Sequence, residues 1–177
     1  MTATPPDHLW IDRRTTPIGE ALLVTDDGGR LRALDWSDHE PRLLRLLQRH
    51  YGAVAVAAGP APDGVRRALD DYFAGDLGAL DAIDCATGGT KFQRAVWAAL
   101  RTIKPGQTLS YGALAARLGM PRAMRAVGLA NGANPIGIVV PCHRVIGADG
   151  SLTGYGGGLA RKRWLLAHEG AAFRDAA

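Results

Sequence analysis

Adjacent glycines at 88 and 89, just behind Thr87, divide this chain into two stretches that follow different rules of pattern and charge. Residues 1–86 carry nine Lys/Arg against fourteen Asp/Glu, a net −5, and residues 87–177 carry twelve against three, a net +9. Together they give the +4 of the whole chain. Such polarity across a glycine break argues for two domains, 1–86 and 87–177, rather than one shared core. The basic half either attracts a polyanion, with nucleic acid the first candidate, or faces the acidic half so that the charges cancel.

The first half reads as mixed α/β. Leu9 to Arg13, Ala21 to Thr25 and Leu31 to Trp36 are strand-like, and Asp26-Asp27-Gly28-Gly29 is a hairpin turn between the last two. Leu43, Leu44, Leu46 and Leu47 after Pro41 predict a helix ending near Gly52, and Val65, Leu69, Tyr72 and Phe73 another closing at Gly75. Ala53 to Pro62 reads as an Ala/Gly/Pro connector, and Leu80 to Cys85 as a strand whose cysteine is a small buried hydrophobe.

The second half is mostly helical. Thr90 is a good N-cap for a helix carrying Phe92, Ala95, Val96, Ala99, Leu100 and Ile103 on one face, stopped at Lys104-Pro105-Gly106. Ser110 caps a second helix bearing Tyr111, Leu114, Ala115 and Leu118 up to Gly119, and Pro121 opens a third. In the third, Ala123, Ala126, Val127 and Ala130 form a small-residue face while Arg122 and Arg125 point elsewhere. Two short helices joined at a glycine are either a helix-turn-helix presenting arginines to DNA or an ordinary piece of core.

Ile136 to Val140 predicts a short apolar strand leading into Pro141-Cys142-His143-Arg144-Val145-Ile146-Gly147. Cys142 is either a buried filler or, with His143 and Arg144 beside it to favour the thiolate, a nucleophile. Neighbours in an extended segment point apart, so His143 need not touch the sulfur directly and could act through a water. A last helix runs from Gly158 to Gly170 with Trp164, Leu165 and His168 inward. Glu169 in its final turn opposes the helix dipole, so it is either solvated or held by a partner.

With 47% hydrophobic residues the chain has the makings of a real core, but no apolar run reaches the roughly 18–20 residues of a membrane span. Two cysteines, Cys85 and Cys142, cannot supply a disulfide framework or a four-thiolate zinc site, and the start of the chain lacks a secretory pattern. A reduced, cytoplasmic protein with no metal, no cofactor and no membrane partner is expected.

The cysteine segment, preceded by Asn134-Pro135 and followed by Tyr155-Gly156-Gly157-Gly158, resembles the signature of the O6-alkylguanine-DNA alkyltransferases, or methylated-DNA–protein-cysteine methyltransferases. The likeness runs in order through Gly89-Thr90-Lys91-Phe92-Gln93, Ser110-Tyr111, Arg125-Ala126-Val127-Gly128 and Trp164-Leu165-Leu166-Ala167-His168-Glu169-Gly170. It implies an RNase H-like α/β domain followed by a mostly α domain with a winged-helix-like helix-turn-helix. It implies direct repair, with Cys142 taking the alkyl group from guanine O6 in a single, irreversible transfer. O4-alkylthymine is a further candidate substrate.

By the same resemblance His143 and Glu169, with a water, draw off the thiol proton, and Asn134 ties the turn near the recognition helix to the cysteine loop. Arg125 fills the space of the flipped nucleotide, Tyr111 contacts phosphate and base, and Arg122 shares the DNA face in the minor groove. Tyr155, Gly156 and Gly157 close the alkylguanine pocket, which Asn131 also lines, and main-chain groups of Cys142 and Val145 read the guanine amino group. Gly156 replaces a serine of some relatives, and Asn131 a larger apolar residue, so bulky alkyl groups are where this chain departs from them. The expected partner is double-stranded DNA containing O6-alkylguanine, bound by a protein monomeric in solution, with cooperativity on DNA left open. The competing function is a non-catalytic binder of alkylated DNA, a class that lacks the active cysteine.

Overall fold

The computed structural model describes residues 5–175, in two compact units that divide between Gly89 and Thr90. The first is α/β. Strands β1 (His8–Thr16), β2 (Gly19–Asp26) and β3 (Leu31–Trp36) form an antiparallel meander. β3 and β2 are buried along almost their whole length, which is why they read as apolar runs rather than as alternation. Helix α1 (Glu40–Tyr51) packs Leu43 and Leu47 onto Leu9, Leu22, Val24 and Ala33, and α2 (Asp63–Phe73) buries Val65, Ala68, Leu69 and Tyr72.

Two expectations fail in this unit. The connector after α1 holds a strand, β4 (Ala55–Ala58), paired in parallel with β1 at the edge of the sheet in the order β3-β2-β1-β4. Its side chains are all exposed, so it carried no burial pattern to read. The expected strand at Leu80 to Cys85 is instead a 3-10 turn over Ala79–Ala82, followed by a single bridge from Cys85 to Leu31. Leu80 and Ile83, three apart, are the buried pair, a spacing that suits a helical turn and not a strand.

The second unit is built on α3 (Lys91–Leu100), α4 (Tyr111–Arg117), α5 (Met124–Gly132) and α6 (Leu159–His168). Thr90 and Gln93 form a reciprocal capping box at the start of α3, worth about 1 kcal/mol, and Ser110 caps α4 through the Ala113 amide. Trp97 of α3 donates its indole N–H to the Ala130 carbonyl of α5 at 2.8 Å. α4 ends in a Schellman turn: Met120 N–H reaches the Ala115 carbonyl and Gly119 N–H that of Ala116, with Gly119 at φ 70°. Pro121 opens a 3-10 turn, Pro121–Ala123, and α5 starts only at Met124.

The two-residue strands β5 (Leu109–Ser110) and β6 (Val145–Ile146) pair in parallel, which sets the start of α4 beside the cysteine segment. The apolar stretch Ile136–Val140, expected as a strand, turns instead through Gly137–Val139, with Val140 N–H bonded back to the Ile136 carbonyl. Ile138 sits there at φ 65°, a left-handed conformation that costs a β-branched residue energy. Its side chain is buried, as are those of Ile136, Val139 and Val140, so the run is apolar because it is enclosed. No helix among the described residues is long and apolar enough to cross a membrane.

Candidate active site

Pro141 to Ile146 are all buried, and Cys142 keeps 7% of its surface exposed at the head of a 3-10 turn, Cys142–Arg144. The extended geometry expected around the cysteine is thus replaced by a turn. Asn134, just past α5, organises it. Its side-chain amide donates to the Val140 carbonyl at 2.7 Å and to Cys142 Sγ at 3.1 Å, and its Oδ1 accepts the Ile136 N–H. One side chain therefore holds both ends of the strained loop and places a donor on the sulfur.

His143 is fully buried, with Nε2 2.9 Å from Glu169 Oε1. Arg144 clamps the same carboxylate with Nε to Oε2 at 2.9 Å and Nη2 to Oε1 at 2.8 Å, and its Nη1 donates to the Ile103 carbonyl. Burial would push the Glu169 carboxyl up, but hydrogen bonds from His143 and Arg144 outweigh it and hold the group well below the usual carboxylate range. Burial also pushes His143 down, against the opposing pull of Glu169. A neutral imidazole facing an ionised carboxylate must donate from Nε2, which leaves Nδ1 as the base. Nδ1 is buried with no hydrogen-bond partner in the protein.

Glu169 reaches this position because α6 ends in a second Schellman turn, with Gly170 at φ 69° and Ala171 N–H on the Leu166 carbonyl. Arg144, expected to activate the thiol, is instead committed to Glu169. Leu165 is buried as expected, whereas Trp164 and His168 are half-buried and stacked on each other with ring centres 4.7 Å apart.

The other expected residues fall around this centre. Tyr111 heads α4 and accepts a hydrogen bond on its hydroxyl from Thr153 at 3.1 Å. Tyr155 is half-buried with its ring edge-on to His143, centres 6.5 Å apart. Gly156 is exposed, whereas Gly157 is buried and lends its carbonyl to Arg161 at 2.9 Å. Val145 is enclosed, Asn131 is buried in the last turn of α5, and Arg122 and Arg125 are exposed.

Lys162 and Thr153 were not foreseen. The Lys162 ammonium is wholly buried and donates to the carbonyls of Val145 at 2.6 Å and Thr153 at 3.0 Å. Burial pushes it down to about 8, with Cys142 acting in the opposite sense. Within Arg161-Lys162-Arg163 it looks like one more solvated cation. The signal was Lys162 lying three residues before Leu165 and four before Leu166, on the apolar side of α6.

A shielded thiol with an amide on its sulfur, next in the chain to a neutral, carboxylate-backed histidine, is an arrangement that suits a cysteine nucleophile. Residues 91–171 match the family model described as 6-O-methylguanine DNA methyltransferase, DNA binding domain. The methylated-DNA–protein-cysteine methyltransferase of Salmonella typhimurium is 55% identical over 166 residues, covering 92% of this chain and 96% of its own. The crystal structure of Mycobacterium tuberculosis O6-methylguanine methyltransferase resembles the fold with a TM-score of 0.74 at 43% identity, over 92% of each chain. That of M. tuberculosis OGT in complex with DNA gives 0.76 at 42%, again over 92% of each. The chain belongs to the methylated-DNA–protein-cysteine methyltransferases, which repair DNA by moving an alkyl group onto a cysteine.

Proposed function

We propose that Cys142 is the acceptor of an alkyl group from O6-alkylguanine in double-stranded DNA, and that His143, Glu169 and Asn134 make it reactive. The observation that carries this is the arrangement of His143: Nε2 is spent on an ionised Glu169 and the base nitrogen Nδ1 is buried without a protein partner. A water joining Nδ1 to the thiol takes the proton to His143, and the Asn134 amide steadies the sulfur left behind. The thiolate attacks the alkyl carbon. The Sγ–C bond forms, the O6–C bond breaks, and its electron pair stays on the guanine. A thioether is a poor leaving group, so each molecule acts once.

The base must leave the stack to reach a sulfur this enclosed. α4 and α5 act as a helix-turn-helix of winged-helix type, with α5 in the minor groove, where base edges discriminate poorly and lesions in any sequence are accepted. Exposed Arg125 fills the vacated place in the stack, Arg122 lies on the same DNA face, and Tyr111, held by Thr153, meets the rotated nucleotide. Main-chain carbonyls of Cys142 and Val145 take the guanine amino group, and Tyr155, Gly156 and Gly157 close over it. The first unit plays the part of the RNase H-like domain, and the protein works in the cytoplasm as a monomer.

Incubation with a duplex containing O6-methylguanine, followed by intact-protein mass, tests the proposal. One methyl per chain on Cys142 is expected, and Cys142→Ser abolishes transfer while keeping DNA binding. Methyl transfer by that variant, or turnover of excess substrate, refutes it. Tight lesion binding with no adduct on the wild type would instead assign the chain to the non-catalytic binders.

A further inference from the structure

Among the described residues of the second unit, the buried cations are Arg144 and Lys162. Arg144 is neutralised by Glu169, whose two carboxylate oxygens it holds at 2.8 and 2.9 Å. Lys162, with none of its surface exposed, spends its ammonium on the carbonyls of Val145 at 2.6 Å and Thr153 at 3.0 Å. Carbonyls take up N–H groups but leave the charge uncancelled, and a buried charge without a counter-charge is costly. Such a cation calls for an anion. Val145 closes the 3-10 turn that Cys142 begins, its N–H bonded to the Cys142 carbonyl, so the ammonium lies against the turn that carries the sulfur. Thr153, the second anchor, is itself tied through its hydroxyl to Tyr111 of α4 at 3.1 Å, which holds the ammonium from two sides. The anion that this turn can form is the thiolate, and Cys142 is within electrostatic reach of the ammonium.

We infer that Lys162 is a positioning residue whose fixed charge serves as the counter-ion of the Cys142 thiolate, the part that Arg144 gives up to Glu169. The inference deepens the alkyl transfer proposed above and rests on it. Lys162 neither gives nor takes a proton: the one leaving Sγ goes by way of His143, and the ammonium holds the anion that remains. Around this pair stand His143 on the same turn, Arg144 and Glu169 compensating each other, and the phenols of Tyr111 and Tyr155. Burial draws Lys162 down to about 8, with Cys142 acting in the opposite sense, so the ammonium is still charged at neutral pH. Burial and, less strongly, the Lys162 charge also loosen the hold of His143 on a proton, so the proton that it takes from the thiol is passed on. Once the sulfur is a thioether, the ammonium has lost its counter-ion.

Titration of the Cys142 thiol by the ultraviolet absorbance of its thiolate, each protein against its own Cys142→Ser counterpart, tests this beside transfer from a duplex containing O6-methylguanine. Lys162→Met keeps the length of the side chain and removes the charge. At neutral pH its thiolate fraction and its transfer rate both fall about tenfold, and the transfer rate climbs back toward that of the wild type as the pH passes the raised thiol midpoint. A thiol midpoint that Lys162→Met leaves in place overturns the inference. So does a loss of transfer that is equal at every pH, which would make Lys162 a brace between two loops. Where Lys162→Met does not fold, the reciprocal titration decides: followed by NMR of its side chain, Lys162 gives up its proton at lower pH in Cys142→Ser than in the wild type, and an unmoved midpoint refutes the counter-ion. Failure of the wild type to take a methyl condemns the alkyl-transfer reading itself, an outcome distinct from any result of the two titrations.

Discussion

Glu169 occupies the C-terminal end of α6, where the helix dipole disfavours a carboxylate, and Arg144 and His143 supply what the dipole withholds. Glu169→Gln keeps an acceptor for His143 but leaves Arg144 buried and uncompensated. A loss of about 3 kcal/mol is expected, read from the denaturant midpoint at constant slope. The pH dependence has a definite sign. His143 is held neutral, so below about pH 6.5 the unfolded chain takes up a proton that the folded one refuses, and stability falls. Glu169, with its folded value depressed, stabilises above its unfolded value of 4.5, and that contribution is lost as the pH drops further through the folded value. In Glu169→Gln the second loss disappears, which acid titrations of both proteins measure. Cys142, His143, Asn134 and Glu169 were legible because their order along the chain carries the family resemblance. Arg144 and Lys162 were not, since a sequence shows that a cation is present but not which carboxylate or carbonyl it is buried against.

Several elements were legible: β2 and β3 as apolar runs bounded by a glycine turn, α1 and α2 by the spacing of their buried residues, and α3 and α4 by Thr90, Ser110 and Gly119. The failures share a cause. β4 is exposed along its length, Leu80–Cys85 buries one turn, and Ile136–Val140 is enclosed on every side, so periodicity told nothing of their backbone. On α5, Val127 and Ala130 are buried as expected, but Ala126 reaches solvent beside Arg125 and falls outside the expected small-residue face, and Arg122 is exposed in the 3-10 turn before the helix. Arg125→Ala is expected to slow repair of duplex DNA at least tenfold, since the variant lacks the side chain proposed to take the place of the extruded base. Reaction with free O6-benzylguanine, which needs no flipping, should stay within about twofold if the analogue fits. Equal losses on both substrates would make Arg125 a residue of the fold.

Charge acts over the whole second unit. Of its twelve Lys/Arg only Arg144 and Lys162 are buried, so ten reach solvent, against three acidic residues of which Glu169 is also buried. Duplex binding should weaken as log salt rises, with a slope of about −0.9 for each phosphate neutralised, and a flat titration would remove charge as the source of affinity. The enclosure of Cys142 also governs the condition of the protein once repair is done. A methyl transferred to Sγ as proposed above adds volume at a side chain only 7% exposed, and the sulfur can no longer answer the Asn134 amide as a thiolate does. Overpacking of this kind costs about 1–3 kcal/mol. The methylated protein should therefore melt several degrees below the unreacted one in paired thermal scans. The same tight packing that readies the protein for one reaction leaves it a looser, more protease-sensitive molecule afterwards, so that a used copy differs from a fresh one in its lifetime as well as in its chemistry.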